Sequence, residues 1–178
     1  MIKAMIDDFR IQTNTLELRM EPTDLRAIVQ EAVADWQRQR PERTILLEIV
    51  HAEKRVPILA DADRIRQVLN TFLANALNYS PVHRPVAVQV TVRDFLACVS
   101  VQDEGPGIPP EEQAHLWERF YRARGITVQH ELDLSLGLDL YICRALIEFH
   151  HGQVGVQSVL DHGTTVWFTL PIVVSPSE

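Results

Sequence analysis

The amino-acid sequence predicts an α/β two-layer sandwich, a mixed sheet covered on one face by helices, with a helical remnant at its N-terminus. Two observations carry this. Runs of alternating apolar and polar residues come in adjacent pairs, 86–93 with 95–102 and 153–158 with 164–170. Between and before those pairs lie segments whose apolar residues recur at helical spacing, the longest over 62–79. Strands in pairs with amphipathic helices between the pairs bury both kinds of apolar surface only if the helices lie on the sheet.

Residues 1 to about 19 read as a helix end, with Ile2, Met5, Ile6 and Phe9 on one face. Glu21-Pro22-Thr23-Asp24 breaks it, and Thr23 or Asp24 can cap the next helix, whose stripe is Leu25, Ile28, Val29, Ala32, Val33 and Trp36 and which stops before Pro41. Residues 44–50 form a strand, 51–56 a polar turn, and 57–60 a short strand. Asp61 caps the long helix, which buries Ile65, Val68, Leu69, Phe72, Leu73, Ala76 and Leu77 and ends at Pro81. The strands 86–93 and 95–102 meet at a tight turn near Asp94, and Asp103 follows the second. A short helix is expected over 110–120, with Pro110 in its first turn. Residues 121–136 show no periodicity and read as a loop. A helix over 137–150 ends with Gly152 at its C′ position, and a hairpin around Asp161-His162-Gly163 closes the chain. The organisation is therefore a 1–20 linker helix, one domain over 21–174, and a short tail over 175–178.

Composition narrows the function. A hydrophobic share of 46% supplies a core, and 23% charged residues are ordinary for a globular chain. The formal net charge of −7 argues against a nucleic-acid surface, which needs clustered Lys and Arg. No apolar run approaches the ~18 residues of a membrane span, and no signal-peptide pattern is seen, so no direct membrane contact is expected. Cys98 and Cys143 lie in apolar segments without paired spacing, as reduced thiols of a cytoplasmic protein would. No His, Cys, Asp and Glu set has zinc spacing.

The chemistry concentrates in Asp103-Glu104-Gly105-Pro106-Gly107-Ile108, set after the helix that carries Asn75. A carboxylate at the mouth of a strand can accept a hydrogen bond from an exocyclic amino group, and Gly105 and Gly107 let backbone approach a flat ring. Guanine has a carbonyl where adenine has that amino group, so Asp103 selects adenine. Asn75 faces the same space and can offer an amide oxygen to Mg²⁺, a hard cation that takes oxygen ligands.

In order and spacing these motifs resemble the ATP-binding catalytic domain of sensor histidine kinases, a Bergerat-fold branch of the GHKL ATPases, from about Glu21 to the C-terminus. Asp63, Arg64, Gln67, Asn75 and Tyr79 match the family's N box; Asp103, Gly105 and Gly107 match the G1 box; and residues 116–122 resemble the F box. The resemblance implies an ATP·Mg²⁺ site of Asn75, Asn78, Tyr79, Asp103, Gly105, Gly107, Ile108, Arg119, Arg122, Gly137, Leu138 and Thr164, with Asn75 as the metal ligand and Thr164 framing the adenine. It implies as partners a dimerisation and histidine-phosphotransfer domain of the same protein, which would supply the phospho-accepting histidine and the general base, and a response regulator. The 2–18 segment resembles the tail of that domain's helix.

Three departures from the family pattern stand out. Thr71 stands where a second Asn is usual, with Asn70 about 100° away around the helix. Asn78 replaces a basic residue. In the glycine-rich G2 box the three alternate positions read Ser135, Gly137 and Asp139. A carboxylate about 5 Å from a phosphate, at an effective dielectric of about 20, costs roughly 3 kcal/mol. A non-glycine at positive φ would add roughly 1 kcal/mol. These departures define the alternative, a non-catalytic pseudokinase that keeps the fold. A stand-alone serine kinase of the anti-sigma type would explain the absent phospho-accepting box, but the linker helix opposes it. His51, before Glu53, Lys54 and Pro57, superficially resembles that box and reads instead as a solvated turn residue, while His150 and His151 read as cations at a helix C-terminus.

Overall fold

The computed structural model describes residues 1–50, 55–123 and 136–174. Its elements run α1 (Ile2–Gln12), β1 (Glu21–Asp24), α2 (Leu25–Gln39), β2 (Ile45–Val50), β3 (Pro57–Ala60), α3 (Ala62–Tyr79), β4 (Val86–Arg93), β5 (Leu96–Asp103), α4 (Pro110–Gln113), α5 (Asp139–Phe149), β6 (Val154–Ser158) and β7 (Thr164–Pro171). Five strands form one sheet in the order β2-β4-β5-β7-β6, with β2 parallel to β4 and every other pair antiparallel. Alternate residues Val86, Val88 and Val90 of β4, and Ala97, Val99 and Val101 of β5, are fully buried under the helices. The opposing layer is Leu25, Ile28 and Val29 of α2, Leu69, Phe72 and Leu73 of α3, and Ile142, Leu146 and Ile147 of α5. Phe72 reaches Phe168 of β7, ring centroids 6.0 Å apart, so α3 is seated on the middle of the sheet.

Helix α3 begins and ends where the sequence predicts. The Asp61 side chain accepts from the Arg64 amide at its start, and Ser80 closes its end before Pro81. Asp24, rather than Thr23, caps α2, accepting from the Arg26 amide. Residues 21–24 do more than break a helix. They form a strand that pairs antiparallel with β3 in a separate two-stranded sheet.

Four other expectations need correction. The N-terminal helix stops at Gln12 instead of continuing to 19. Asn14 adopts φ 54°, and the amides of Asn14 and Thr15 turn back to Ile11 and Arg10. Its apolar stripe, including Ile2 and Phe9, faces solvent, while Asp7 and Asp8 are buried against the domain. Asp7 meets Arg64 and Gln67 of α3, and Asp8 takes Arg119 in a two-point grip at 2.7 and 2.6 Å.

The helix expected over 110–120 spans Pro110–Gln113 only, because Leu116 and Trp117 are drawn into the core through turns. Helix α5 starts at Asp139, after Gly137 at φ 71°. At its end His151, not Gly152, occupies the left-handed C′ position (φ 63°), and the Gly152 amide donates to Ile147. Glycine is needed at 152 for space: a Cβ there would lie 1.9 Å from the Thr169 carbonyl oxygen.

His150 is not a cation at a helix end. It is buried, Nδ1–H donates to the Leu146 carbonyl, Nε2 accepts from the Asp61 amide at 3.0 Å, and desolvation lowers its pKa. His51, Ser135, residues 124–135 of the expected loop and the 175–178 tail lie outside the described residues.

Candidate nucleotide site

A cavity of about 160 Å³ opens between α3, the loop after β5 and the start of α5. Its wall includes Asn75 and Tyr79 on α3, Asp103, Gly107 and Ile108 from the β5 loop, Thr164 on β7, and Arg122, Gly137 and Asp139 around the entry to α5. Phe72, Ala76, Val101, Leu116 and Val166 supply the apolar part. Steps of four residues put Asn75 and Tyr79 on one stripe of α3, and Ala76 beside them keeps that stripe low enough for a flat ring.

Asp103 is the last residue of β5, paired across the sheet with Thr164, the first residue of β7. One carboxylate oxygen accepts from the Gly105 amide at 2.8 Å. The side chain is 7% exposed, and burial raises its pKa to about 6 despite hydrogen bonds from the Gly105 and Thr164 backbones and the nearby Arg43 charge. A carboxylate has more acceptor sites than these two backbone donors fill. An exocyclic amino group would satisfy it.

Gly105 serves this carboxylate rather than the cavity wall: a Cβ there would lie 2.9 Å from both Asp103 Oδ1 and the Tyr79 carbonyl oxygen. Gly107 takes φ 75°, and a Cβ would come 2.3 Å from the Val159 carbonyl oxygen. The loop is held from behind by Ser158, whose hydroxyl accepts from the Ile108 amide and bonds Thr164 Oγ1, each at 2.8 Å. Gln113 adds bonds to the carbonyls of Ile108 and Ser158. Arg43 donates to the carbonyl and hydroxyl of Ser80, pinning the end of α3. No motif marks Ser158, Gln113 or Arg43 in the sequence, because each acts across a long sequence separation.

Of the residues expected at the site, eight line the cavity: Asn75, Tyr79, Asp103, Gly107, Ile108, Arg122, Gly137 and Thr164. Asn78 does not, since three residues of helix turn it about 60° off the Asn75 line. The Leu138 side chain is buried in the core, leaving only its backbone for a ligand. Arg119 points away from the cavity, gripping Asp8 and stacking 4.5 Å over the Phe120 ring. Neither Thr71 nor Asn70 lines the cavity, and Asn70 accepts from the Trp36 indole N–H at 2.9 Å, so neither stands in for a second metal-binding amide. The residues present fit a nucleotide and one hard cation: a desolvated acceptor for a base, left-handed glycine at a helix entry, and side-chain oxygens at Asn75 and Asp139.

Residues 60–174 match the family model for the histidine kinase-, DNA gyrase B- and HSP90-like ATPases. The chain belongs to this family. Among curated proteins it is 34% identical over 149 residues to the adaptive-response sensory kinase SasA of Microcystis aeruginosa, covering 83% of this chain and 38% of that protein. It is 33% identical over 146 residues to the sensor histidine kinase WalK of Bacillus subtilis, covering 81% of this chain and 22% of that protein. The chain thus spans well under half the length of these relatives.

Among solved structures, full-length ShkA in complex with AMPPNP superposes with a TM-score of 0.80 at 26% identity, over 99% of this chain and 36% of that one. The mycobacterial sensor histidine kinase MprB superposes at 0.72 and 24% identity, over 86% and 97%. This is a sensor-histidine-kinase ATPase domain, the ATP-binding catalytic part, and none of these comparisons favours a non-catalytic module. Among the described residues no helix is long and apolar enough to cross a membrane.

Proposed function

We propose that the domain binds ATP with Mg²⁺ in this cavity and presents the γ-phosphate to a histidine on a dimerisation domain of the same parent protein. The observation that carries this is the placement of a desolvated Asp103 carboxylate and the Asn75 amide on the wall of one cavity. Asp103 accepts from the adenine amino group, Tyr79 and the apolar wall hold the ring, and Thr164 frames it beside Asp103. Backbone N–H groups at Gly137 and Leu138, where α5 begins, and the Arg122 guanidinium face the phosphates. Asn75 would hold Mg²⁺, which would supply charge neutralisation at the phosphate oxygens. The domain's own part in phosphoryl transfer is positioning and charge neutralisation, with the attacking imidazole supplied by the partner domain. A response regulator would receive the phosphoryl group, in the cytoplasm.

Isothermal titration with ADP, an unhydrolysable ATP analogue and GDP tests the site. The adenine nucleotides should bind and GDP should not; equal binding of ADP and GDP overturns the assignment of the pocket. Labelled ATP given to the domain alone should leave no acid-labile label, whereas adding a dimerisation domain with its histidine should produce it. Adenine binding without transfer to any such domain would refute the kinase reading and leave the pocket intact.

A further inference from the structure

Asp139 stands where the family resemblance has a glycine, and its charge beside phosphates should repel them. The packing of α3 on α5 points to a different role. The two helices run antiparallel: His150, at the end of α5, accepts from the amide of Asp61, at the start of α3. Further along, the Thr71 side chain lies beside the Cys143 thiol. Four-residue steps keep side chains on one helix face. One step onward along α3 from Thr71 is Asn75, and one step back along α5 from Cys143 is Asp139. The register therefore sets Asn75 opposite Asp139, and both line the same cavity.

We propose that Asn75 and Asp139 together hold the nucleotide's Mg²⁺. This rests on the ATP reading above. Mg²⁺ in nucleotide sites is held by one or two carboxylates together with substrate phosphates, and an amide oxygen and a carboxylate on facing helices offer it hard oxygens from two sides. The same carboxylate that repels bare phosphates becomes attractive once a divalent cation lies between them. The site then binds triphosphate in near-obligatory partnership with the metal. The other account of Asp139 is a carboxylate in the first turn of α5, where the helix end favours a negative charge.

The test is the metal gain, the ratio of the ATP-analogue dissociation constant in EDTA to that in excess Mg²⁺, for the 178-residue chain and for Asp139→Asn and Asp139→Gly. The ratio should be at least tenfold larger in the starting protein, with both variants binding the analogue more tightly in EDTA. Adenosine affinity should be unchanged, which shows that the pocket survives in the variants. A direct readout is electron-nuclear double resonance of the Mn²⁺–analogue complex on protein labelled with ¹³C at Asp, where a carboxylate coupling should be present and lost in Asp139→Asn. Equal metal gains, or a coupling that persists in Asp139→Asn, overturn the assignment of Asp139 alone and leave it as a helix-end charge. Failure of the starting protein to bind any adenine nucleotide with Mg²⁺ overturns the ATP reading and this inference with it.

Discussion

Lowering the pH should weaken adenine binding through one residue, Asp103, and the size of the effect follows from its burial. In the free domain the carboxyl titrates near 6, raised by desolvation from the ordinary 3.8. An amino group donating to the carboxylate stabilises only the ionised form, so the pKa in the complex is lower than in the free domain. Affinity is then at full strength above about pH 6 and falls by about tenfold for each further pH unit, since one unit corresponds to about 1.4 kcal/mol. Between pH 7.5 and pH 5.0 the loss should be about tenfold. Adenosine is the ligand of choice, because its lack of phosphates removes a second titration near 6. Calorimetry across pH 5.0–7.5 should show uptake of protons on release of adenosine, and Asp103→Asn should bind weakly with a flat profile. Adenosine affinity that is the same at pH 5.0 and 7.5 in the starting protein would refute the claim that the ionised carboxylate reads the base.

The same residue carries a stability prediction. Its raised native pKa means that its contribution favours the fold below 3.8 and is lost as pH rises through 6, so Asp103→Asn should stabilise the empty domain at pH 7.5 by about 1–3 kcal/mol; urea midpoints that do not rise would count against it. Gly137→Ala should destabilise by about 2 kcal/mol or more, from the left-handed φ and a Cβ 2.6 Å from the Tyr121 carbonyl oxygen, and an unchanged urea midpoint would show that α5 can be entered another way. Asp7→Ala leaves Arg64 without its carboxylate where both side chains are largely buried, a loss of about 3–5 kcal/mol that a short helix cannot withstand alone. Amide exchange across residues 2–12 should then become fast while α3 keeps its protection, and slow exchange in both would show that α1 is held by other contacts. The Cys143 thiol, pushed up to about 12 by burial, should resist iodoacetamide until the domain unfolds; native-state labelling would place it nearer the surface.

The sequence by itself determined the sheet-and-helix class, the bounds of α3 and β4, and the Asp103–Ile108 segment as part of the cavity wall. These depend on short-range physics: period-2 and period-3.6 patterns decide which face is buried, Asp61 and Pro81 flank one helix, and the cavity-lining residues from Asp103 to Ile108 are close neighbours in sequence. Tertiary structure decided what depends on distant partners. Helical spacing marks an apolar face on α1 but cannot say that Asp7 and Asp8 are the buried side, because the cations that neutralise them are 57 and 111 residues away. Arg119 looked like a phosphate ligand by its place in a motif, and an aspartate on another helix takes it instead. His150 resembled a charge at a helix end until burial and the Asp61 amide fixed it as a neutral bridge between two helices. The helix expected over 110–120 gave way because burying Leu116 and Trp117 outweighs a few tenths of a kcal/mol per residue of helix propensity. Asp139 makes the same point at the site. As one letter it reads as damage to a glycine motif. Only the antiparallel register of α3 and α5, set by the Asp61–His150 and Thr71–Cys143 contacts, brings it opposite Asn75, where a negative charge can face a cation.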